Sequence, residues 1–335
     1  MNLFLGIEIG GTKLQLGVST GDGSPLVALE RRDVVIALGA QAIRDDLAAA
    51  GLALKKRFDL KAVGYGFGGP IDASKGVITR SHQVEGWDGF PIVRWTQETL
   101  GLPVFLGNDC DMAALAEARF GAGRESRCVF YITVGTGIGG GLVIDGNVHG
   151  SDQPAAAEIG HLRPSLDPLA PDVEALAAGP GLTAAARNAI ASILAVGDPT
   201  TERAAALRLL EIAGGLRAPL TARHLADAAS EGNIVASRVL RRGTDVLGWA
   251  IAQVITLIAP QTIIVGGGVS LMGDVLFYEP LRKAVAAHVF PPLRDSYRIV
   301  APALGEEVVV HGAAAMAREH LESNGAAKPG PAIES

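Results

Sequence analysis

"LFLGIEIGGTKLQLGVS" (residues 3–19) reads as a strand, a Gly-rich turn carrying Thr12, and a second strand. Far along the chain "VFYITVGTGIGGGLVIDG" (129–146) repeats that plan, with Thr136 in the turn. The flanking runs are aliphatic and β-branched, as in buried strands. Gly-rich turns allow positive φ and let a ligand approach the backbone closely. Each hairpin is later followed by a short apolar strand ending in Gly: "KAVGYGFGGPID" (61–72) and "QTIIVGGGVS" (261–270). Helical periodicity covers 40–57, 109–120, 173–195, 202–214, 222–240 and 243–258. The expectation is two related α/β domains facing each other across a cleft.

Bulk properties narrow the class. The chain has 335 residues, 48% of them hydrophobic and 19% charged, which suits two folded domains rather than a disordered chain. Its net charge of −6 and pI near 5.7 argue against a general nucleic-acid binder. Two cysteines, Cys110 and Cys128, do not make a disulfide framework and suit a reducing cytoplasm, where both are expected to be buried thiols. The N-terminal "MNLFLGIEIGG" has no cationic leader, so no signal peptide is expected. The apolar stretch 246–269 is interrupted by Gln253, Pro260 and Gln261. It reads as a buried helix, a turn and a buried strand rather than a membrane span.

The turn "EIGGTK" (8–13) offers the N–H groups of Gly10, Gly11 and Thr12, the Thr12 hydroxyl and the Lys13 ammonium. Such a concave backbone holds phosphate oxygens. Glu8 is placed to hold Mg²⁺, directly or through water. "GTGIGGG" (135–141) is a second cradle. Neither turn runs into a helix, so neither is a dinucleotide fingerprint or a P-loop. A tight structural turn would explain either one alone; two in corresponding halves are more specific.

Asn108 and Asp109 stand where an apolar strand runs into a helix. An Asx residue there is often only a cap. Carboxyl ends of α/β strands also hold ligands, and an Asp there can take a proton from a hydroxyl. Glu158 and His161 have two readings as well: a solvated acid and histidine on a loop, or ligand groups. Trp87 and Trp95 read as packing residues, and "LRRGT" (240–244) as a solvated helix end.

The ordered motifs "EIGGTK", "GFGGPID", "GWDGFPI", "GNDCDMAALAEARFGAG", "ITVGTGIGGGLVIDG", "AAEIGH", "VEALAAGPGL", "ASEGNIVASRVL", "IIVGGGVS" and "LGEEVVVHGAAAMA" resemble the ROK family of sugar kinases and repressors over about residues 3–320. The resemblance implies an α/β fold of two actin/hexokinase-like (ribonuclease H-like) domains flanking a nucleotide/sugar cleft. It implies a small domain over 1–118, with 313–323 packing back on it, and a large domain over 119–312. Residues 324–335 are expected to be a disordered tail.

For function, the resemblance implies a glucokinase-like ATP:hexose phosphotransferase. ATP phosphates would meet Gly10, Gly11, Thr12, Lys13, Thr136 and Gly137, with Gly267 and Gly268 on the adenosine side. Asp109 would be the catalytic base. Gly69, Asn108, Asp109, Glu158, His161 and Glu174 would hold the sugar. Mg²⁺ would lie by Glu8, where the family usually has Asp. Many members carry a Cys-rich loop in which the matching His also ligates zinc. Here that interval is "LRPSLDPLAPDV" (162–173), without Cys, so no structural zinc is expected; its three prolines would stiffen it instead. A homodimer is implied, with no nucleic-acid or membrane partner.

Alternatives remain in this reading. The acceptor would be fructose, mannose or an N-acetyl hexosamine, or the donor polyphosphate. A repressor would need a helix-turn-helix before the first hairpin, and the first strand begins at Leu3. A non-catalytic sugar-binding regulator is disfavoured because Asp109 and Thr12 are both present.

Overall fold

Aliphatic residues on both faces bury the first hairpin. β1 (Leu3–Ile9) and β2 (Lys13–Ser19) pair antiparallel, Ile9 opposite Leu14. The computed structural model describes residues 2–81, 84–150, 155–195, 201–215 and 218–326. The chain continues through β3 (Ala28–Asp33), α1 (Gly39–Arg57), β4 (Leu60–Phe67) and the short β5 (Ile71–Asp72) and β6 (Val77–Ile78). Then come α2 (Ile92–Leu100), β7 (Val104–Asn108) and α3 (Asp109–Phe120). The first sheet has the order β3-β2-β1-β4-β7, with β4 parallel to both β1 and β7. Leu5, Ile7, Leu14, Leu16 and Tyr65 of this sheet are buried with Leu47 of α1. Trp87 joins that core and meets Phe67 and Phe90 edge-on, so its packing reading holds.

The second sheet repeats the plan. β8 (Cys128–Val134), β9 (Ile138–Ile144) and β10 (Asn147–Val148) are followed by α4 (Val173–Ala177), α5 (Gly179–Ala195), α6 (Thr201–Ile212), α7 (Ala222–Ser230) and α8 (Ile234–Ile258). β11 (Thr262–Gly266), α9 (Glu279–His288), β12 (Arg298–Val300) and α10 (Val308–Ala326) complete the described chain. The order is β10-β9-β8-β11-β12, and β11 is parallel to β8 and β12. Each sheet is thus an antiparallel run of three strands with two parallel strands continuing beyond its first strand, which is the echo seen in the sequence. Among the described residues no helix is long and apolar enough to cross a membrane.

Contacts divide the chain into two units. One holds the chain up to Glu125, Gly141–Ala156 and the chain from Ala303; the other holds Ser126–Gly140 and Ala157–Pro302. The division therefore falls later than the expected 118/119, and 141–156 and 303–312 group with the first unit. In that unit α10 lies almost backbone to backbone on the sheet. A Cβ at Gly64 would stand 1.9 Å from the Ala313 carbonyl oxygen, and one at Gly6 2.2 Å from that of Val310. Strand glycines are used where another backbone comes this close. Glu117, fully buried on α3, accepts from the N–H groups of Ala122 at 2.7 Å and of Ala303 and Leu304 at 2.8 Å each. A buried carboxylate is tolerable because its oxygens are satisfied in this way.

Helix breaks differ from the sequence expectation in three places. The helix expected over 173–195 breaks at Ala178, which is extended while its neighbour Gly179 donates to the Gly135 carbonyl. The break expected between 240 and 243 falls instead at 231–233. There Gly232 turns left-handed (φ 85°) and the Asn233 side chain accepts from Val235 and Ala236 N–H, capping α8. Arg241 and Arg242 are solvated but lie in mid-helix, because Gly243 packs against Leu182 rather than ending the helix. The third is the tail: α10 runs to Ala326, so 324–326 are helical, and 327–335 lie outside the described residues.

Candidate functional site

In the first unit the parallel register sets Ile9, Phe67 and Asn108 side by side at the carboxyl ends of β1, β4 and β7. The three following segments therefore share one sheet edge, where α/β proteins hold ligands. Gly10 N–H donates to the Lys13 carbonyl at 2.9 Å and closes the first turn. Thr12 is exposed at its tip. Glu8, 6% exposed, receives Lys13 Nζ on Oε1 at 3.2 Å and Gln15 Nε2 on Oε2 at 2.8 Å. Both donors also reach the Glu306 carbonyl oxygen, at 3.2 and 3.1 Å. Burial raises the Glu8 carboxyl above its ordinary 4.5; Lys13 and Gln15 only partly offset that rise.

Gly68 N–H donates to the Ile9 carbonyl at 2.9 Å, joining the β4 edge to the β1 edge. Asn108 caps α3, its Oδ1 accepting from Cys110 N–H at 2.8 Å and Asp111 N–H at 3.3 Å. Its Nδ2 donates to the Phe67 and Gly69 carbonyls at 3.4 and 3.3 Å. The cap reading of Asn108 is thus realised, and the same amide ties the Gly69 loop to β7. Asp109 is half-buried; its Oδ1 accepts from Cys110 N–H at 2.8 Å. Its Oδ2 lies 3.2 Å from where a Cβ on Gly68 would stand, so glycine there makes room for the carboxylate.

The second unit has its own cluster. Gly135 N–H donates to the Gly137 carbonyl at 2.8 Å, leaving Thr136 exposed at the tip of the turn after β8. Ile138 N–H donates to Glu174 Oε2 at 2.7 Å, so α4 is fastened to this turn. Asp172 caps α4, its Oδ1 accepting from Ala175 N–H at 2.9 Å. Its Oδ2 stands 3.7 Å from His161 Nδ1. Glu158 opens the short helical turn Ile159–His161, preceded by Ala157 at φ 57°. Partial burial raises the Glu158 carboxyl; His161 lowers it, and Glu174 raises it in smaller measure. At the neighbouring strand end, Gly267 takes φ 89°, and a Cβ there would lie 2.5 Å from the Val134 carbonyl oxygen. A Cβ on Gly268 would meet nothing within 4 Å.

Each unit therefore gathers its own expected residues: Glu8, Gly10–Lys13, Gly69, Asn108 and Asp109 in one, and Thr136, Gly137, Glu158, His161, Glu174, Gly267 and Gly268 in the other. The two hairpin turns do not use the positive φ that glycine allows: no glycine of "EIGGTK" or "GTGIGGG" is left-handed. Space, not handedness, demands glycine in the second turn. A Cβ on Gly137 would press Glu174 Oε2 at 2.6 Å, and one on Gly140 the Ala157 carbonyl oxygen at 2.2 Å. Sequence reasoning missed Gln15, Asp172 and Arg163. Gln15, 1% exposed on a buried strand, was legible as an odd polar residue among aliphatics. Asp172 shows only the ordinary signal of a helix cap.

Among the described residues there is no group of three or more His, Cys, Asp or Glu able to hold a metal. The loop 162–173 is closed by protein groups. Val173 N–H donates to the Leu162 carbonyl at 2.9 Å. Arg163 Nη1 donates to the carbonyls of Pro168 at 2.9 Å and Ala170 at 2.6 Å.

Two sheets of one plan, each with a Gly-rich turn and acidic side chains at its strand ends, define a duplicated α/β protein of the actin/hexokinase-like kind. The profile of the ROK family matches residues 4–320, and the chain belongs to that family. A glucokinase of Thermotoga maritima is 31% identical, over 95% of this chain and 98% of its own. A ROK family glucokinase from Streptomyces griseus, solved with glucose and AMPPNP, is 30% identical with a TM-score of 0.80, covering 95% of this chain and all of that one (100%). A ROK hexokinase from Thermus thermophilus is 28% identical with a TM-score of 0.76, covering 96% and 99%.

Proposed function

We propose that this chain is an ATP-dependent hexose kinase of the glucokinase kind, with glucose as its main acceptor. The observation that carries the reading is the alignment of Asp109, Gly68 and the first Gly-rich turn on one strand edge. The glucokinase relatives, alike over nearly their whole length, support ATP and glucose as substrates.

In this reading Gly69, Asn108, Asp109, Glu158, His161 and Glu174 are the sugar ligands. Hydroxyls both donate and accept, so carboxylates, an amide and an imidazole suit them. Asp109 accepts the proton of the attacking hydroxyl, that oxygen bonds to the γ-phosphorus, and the bond to the β-phosphate oxygen breaks, releasing ADP. The first turn and Lys13, with Thr136 and Gly137, hold the phosphates; Gly267 and Gly268 line the adenosine side. Lys13 leaves Glu8 for the phosphates with little movement, since its ammonium already stands at the turn.

Glu8 suits Mg²⁺: it is a hard-oxygen ligand, and Mg²⁺ needs few protein ligands because it keeps several waters. When bound there, the ion screens phosphate charge. The reading includes no structural zinc, because the donors beside His161 are carboxylates and the loop has no cysteine.

The test is ADP release with MgATP against glucose, fructose, mannose, N-acetylglucosamine and N-acetylmannosamine, and with polyphosphate as alternative donor. Highest kcat/KM on glucose with ATP is expected. No turnover on any of these would overturn the reading.

A further inference from the structure

His161 is held in a way that sets what it can offer a ligand. Its side chain is 67% exposed, while Asp172 beside it is 24% exposed. Among the described residues Asp172 is the one carboxylate within ion-pair distance of the ring, 3.7 Å from Nδ1. The Asp172 carboxylate is not free to turn away. Its Oδ1 accepts from Ala175 N–H at 2.9 Å, and the loop before it is drawn shut by Arg163 on the Pro168 and Ala170 carbonyls. Glu158 also acts on the ring, but through space and without an oxygen in ion-pair reach.

A neutral imidazole carries one N–H and one lone pair, and the partner of one nitrogen decides the role of the other. A carboxylate can only accept. At 3.7 Å Oδ2 and Nδ1 stand within ion-pair but not direct hydrogen-bond distance, so a small ring rotation or one bridging water is needed to join them.

We propose that Asp172 is a positioning residue: it holds neutral His161 as the Nδ1–H form, so that Nε2 accepts a hydrogen bond from a hydroxyl of the bound sugar. The same carboxylate caps the helix that carries Glu174, so one side chain orients two ligand groups. A metal on the ring would act in the opposite sense. It would take the lone pair of one nitrogen and leave the other as a donor. The sugar half of this proposal rests on the function proposed above; the ring half does not.

Nitrogen NMR of the imidazole-labelled full chain, at alkaline pH where imidazoles are neutral, tests the ring directly. The His161 signals are identified by their loss in His161→Gln. The Nδ1–H form is expected in the wild type. In Asp172→Ser, which keeps a capping oxygen on α4, the balance should shift toward Nε2–H. An unchanged form in Asp172→Ser overturns the proposal. The kinetic arm is a double-mutant cycle. Asp172→Ser should raise the glucose KM about tenfold, the worth of one charge-assisted hydrogen bond, with kcat little changed. In the His161→Gln background it should add less than about twofold. Equal effects in both backgrounds would assign Asp172 to the helix alone and overturn it too. If the wild type phosphorylates no sugar, the function fails, while the NMR still decides the ring.

Discussion

The turn after β1 and the turn after β8 follow one plan of strand, glycines, threonine and strand, yet they acquire their charge differently. The first carries its own: Glu8 and Lys13 lie within the hairpin, 3.2 Å apart, with Gln15 on the next strand completing the set. The second is made of neutral residues and borrows Glu174 from α4, whose carboxylate receives the Ile138 N–H at 2.7 Å. The first turn therefore has its carboxylate matched once two strands pair, although Lys13 and Gln15 also donate to the distant Glu306 carbonyl. The second depends on a helix some 36 residues away in sequence. A duplicated frame has kept its backbone and changed the origin of its polar groups.

Substitutions can break or sharpen that contrast. The largest effect is expected at the sheet edge beside the first turn. Asp109→Asn should lower kcat by roughly 10²–10⁴, the worth of a positioned base, with sugar binding retained by calorimetry. A variant with near-normal turnover would remove Asp109 from that role. Next come paired alanine substitutions in the two turns. Gly137→Ala puts a methyl 2.6 Å from Glu174 Oε2, displacing that carboxylate from the Ile138 N–H, and should cost about 1–3 kcal/mol in denaturant unfolding. Gly10→Ala meets only an ordinary 3.5 Å contact and should stay within about 0.5 kcal/mol. Equal losses would show that both turns are packed alike and that the contrast is wrong.

The smallest effect concerns Glu8 and pH. Its carboxyl is raised above 4.5 in the folded chain, chiefly by burial. The native state then holds that proton more tightly than the unfolded chain does. Stability must fall as pH rises from 4.5 through the raised value, and level off above it. Glu8→Gln, which cannot ionise, should lack that decline. Urea midpoints measured across this window should therefore diverge in favour of the variant as pH rises; parallel curves would refute it.

The two hairpins were legible because their signal is local: aliphatic strands and glycines within about twenty residues. Asp109 was legible for the same reason, standing at a visible strand-to-helix junction. What escaped was set by distant partners. The break between α4 and α5 depends on Gly179 bonding Gly135, and the continuity of α8 past Arg241 depends on Gly243 fitting against Leu182. Neither partner is near in sequence. The Gly-rich turns allow positive φ, yet none of their glycines uses it; in the second turn the glycines clear space for a carbonyl and a carboxylate. Asp172 looked like any helix cap, because the ring that faces its second oxygen lies across a folded loop.

Glu117 has a consequence for how the molecule is made. One oxygen of its carboxylate accepts from nearby Ala122, but the other is satisfied only when Ala303 and Leu304 arrive, 186 and 187 positions later. The glycine-lined face of the first sheet likewise waits for α10. On the ribosome, at roughly 5–20 residues per second, that wait lasts on the order of ten to forty seconds. During it the whole second unit emerges and can fold as an insertion. The first unit stays unclosed over that interval, with a half-satisfied acid and an open apolar face. Nascent chains halted before residue 303 should therefore be the species that chaperones bind and proteases cut.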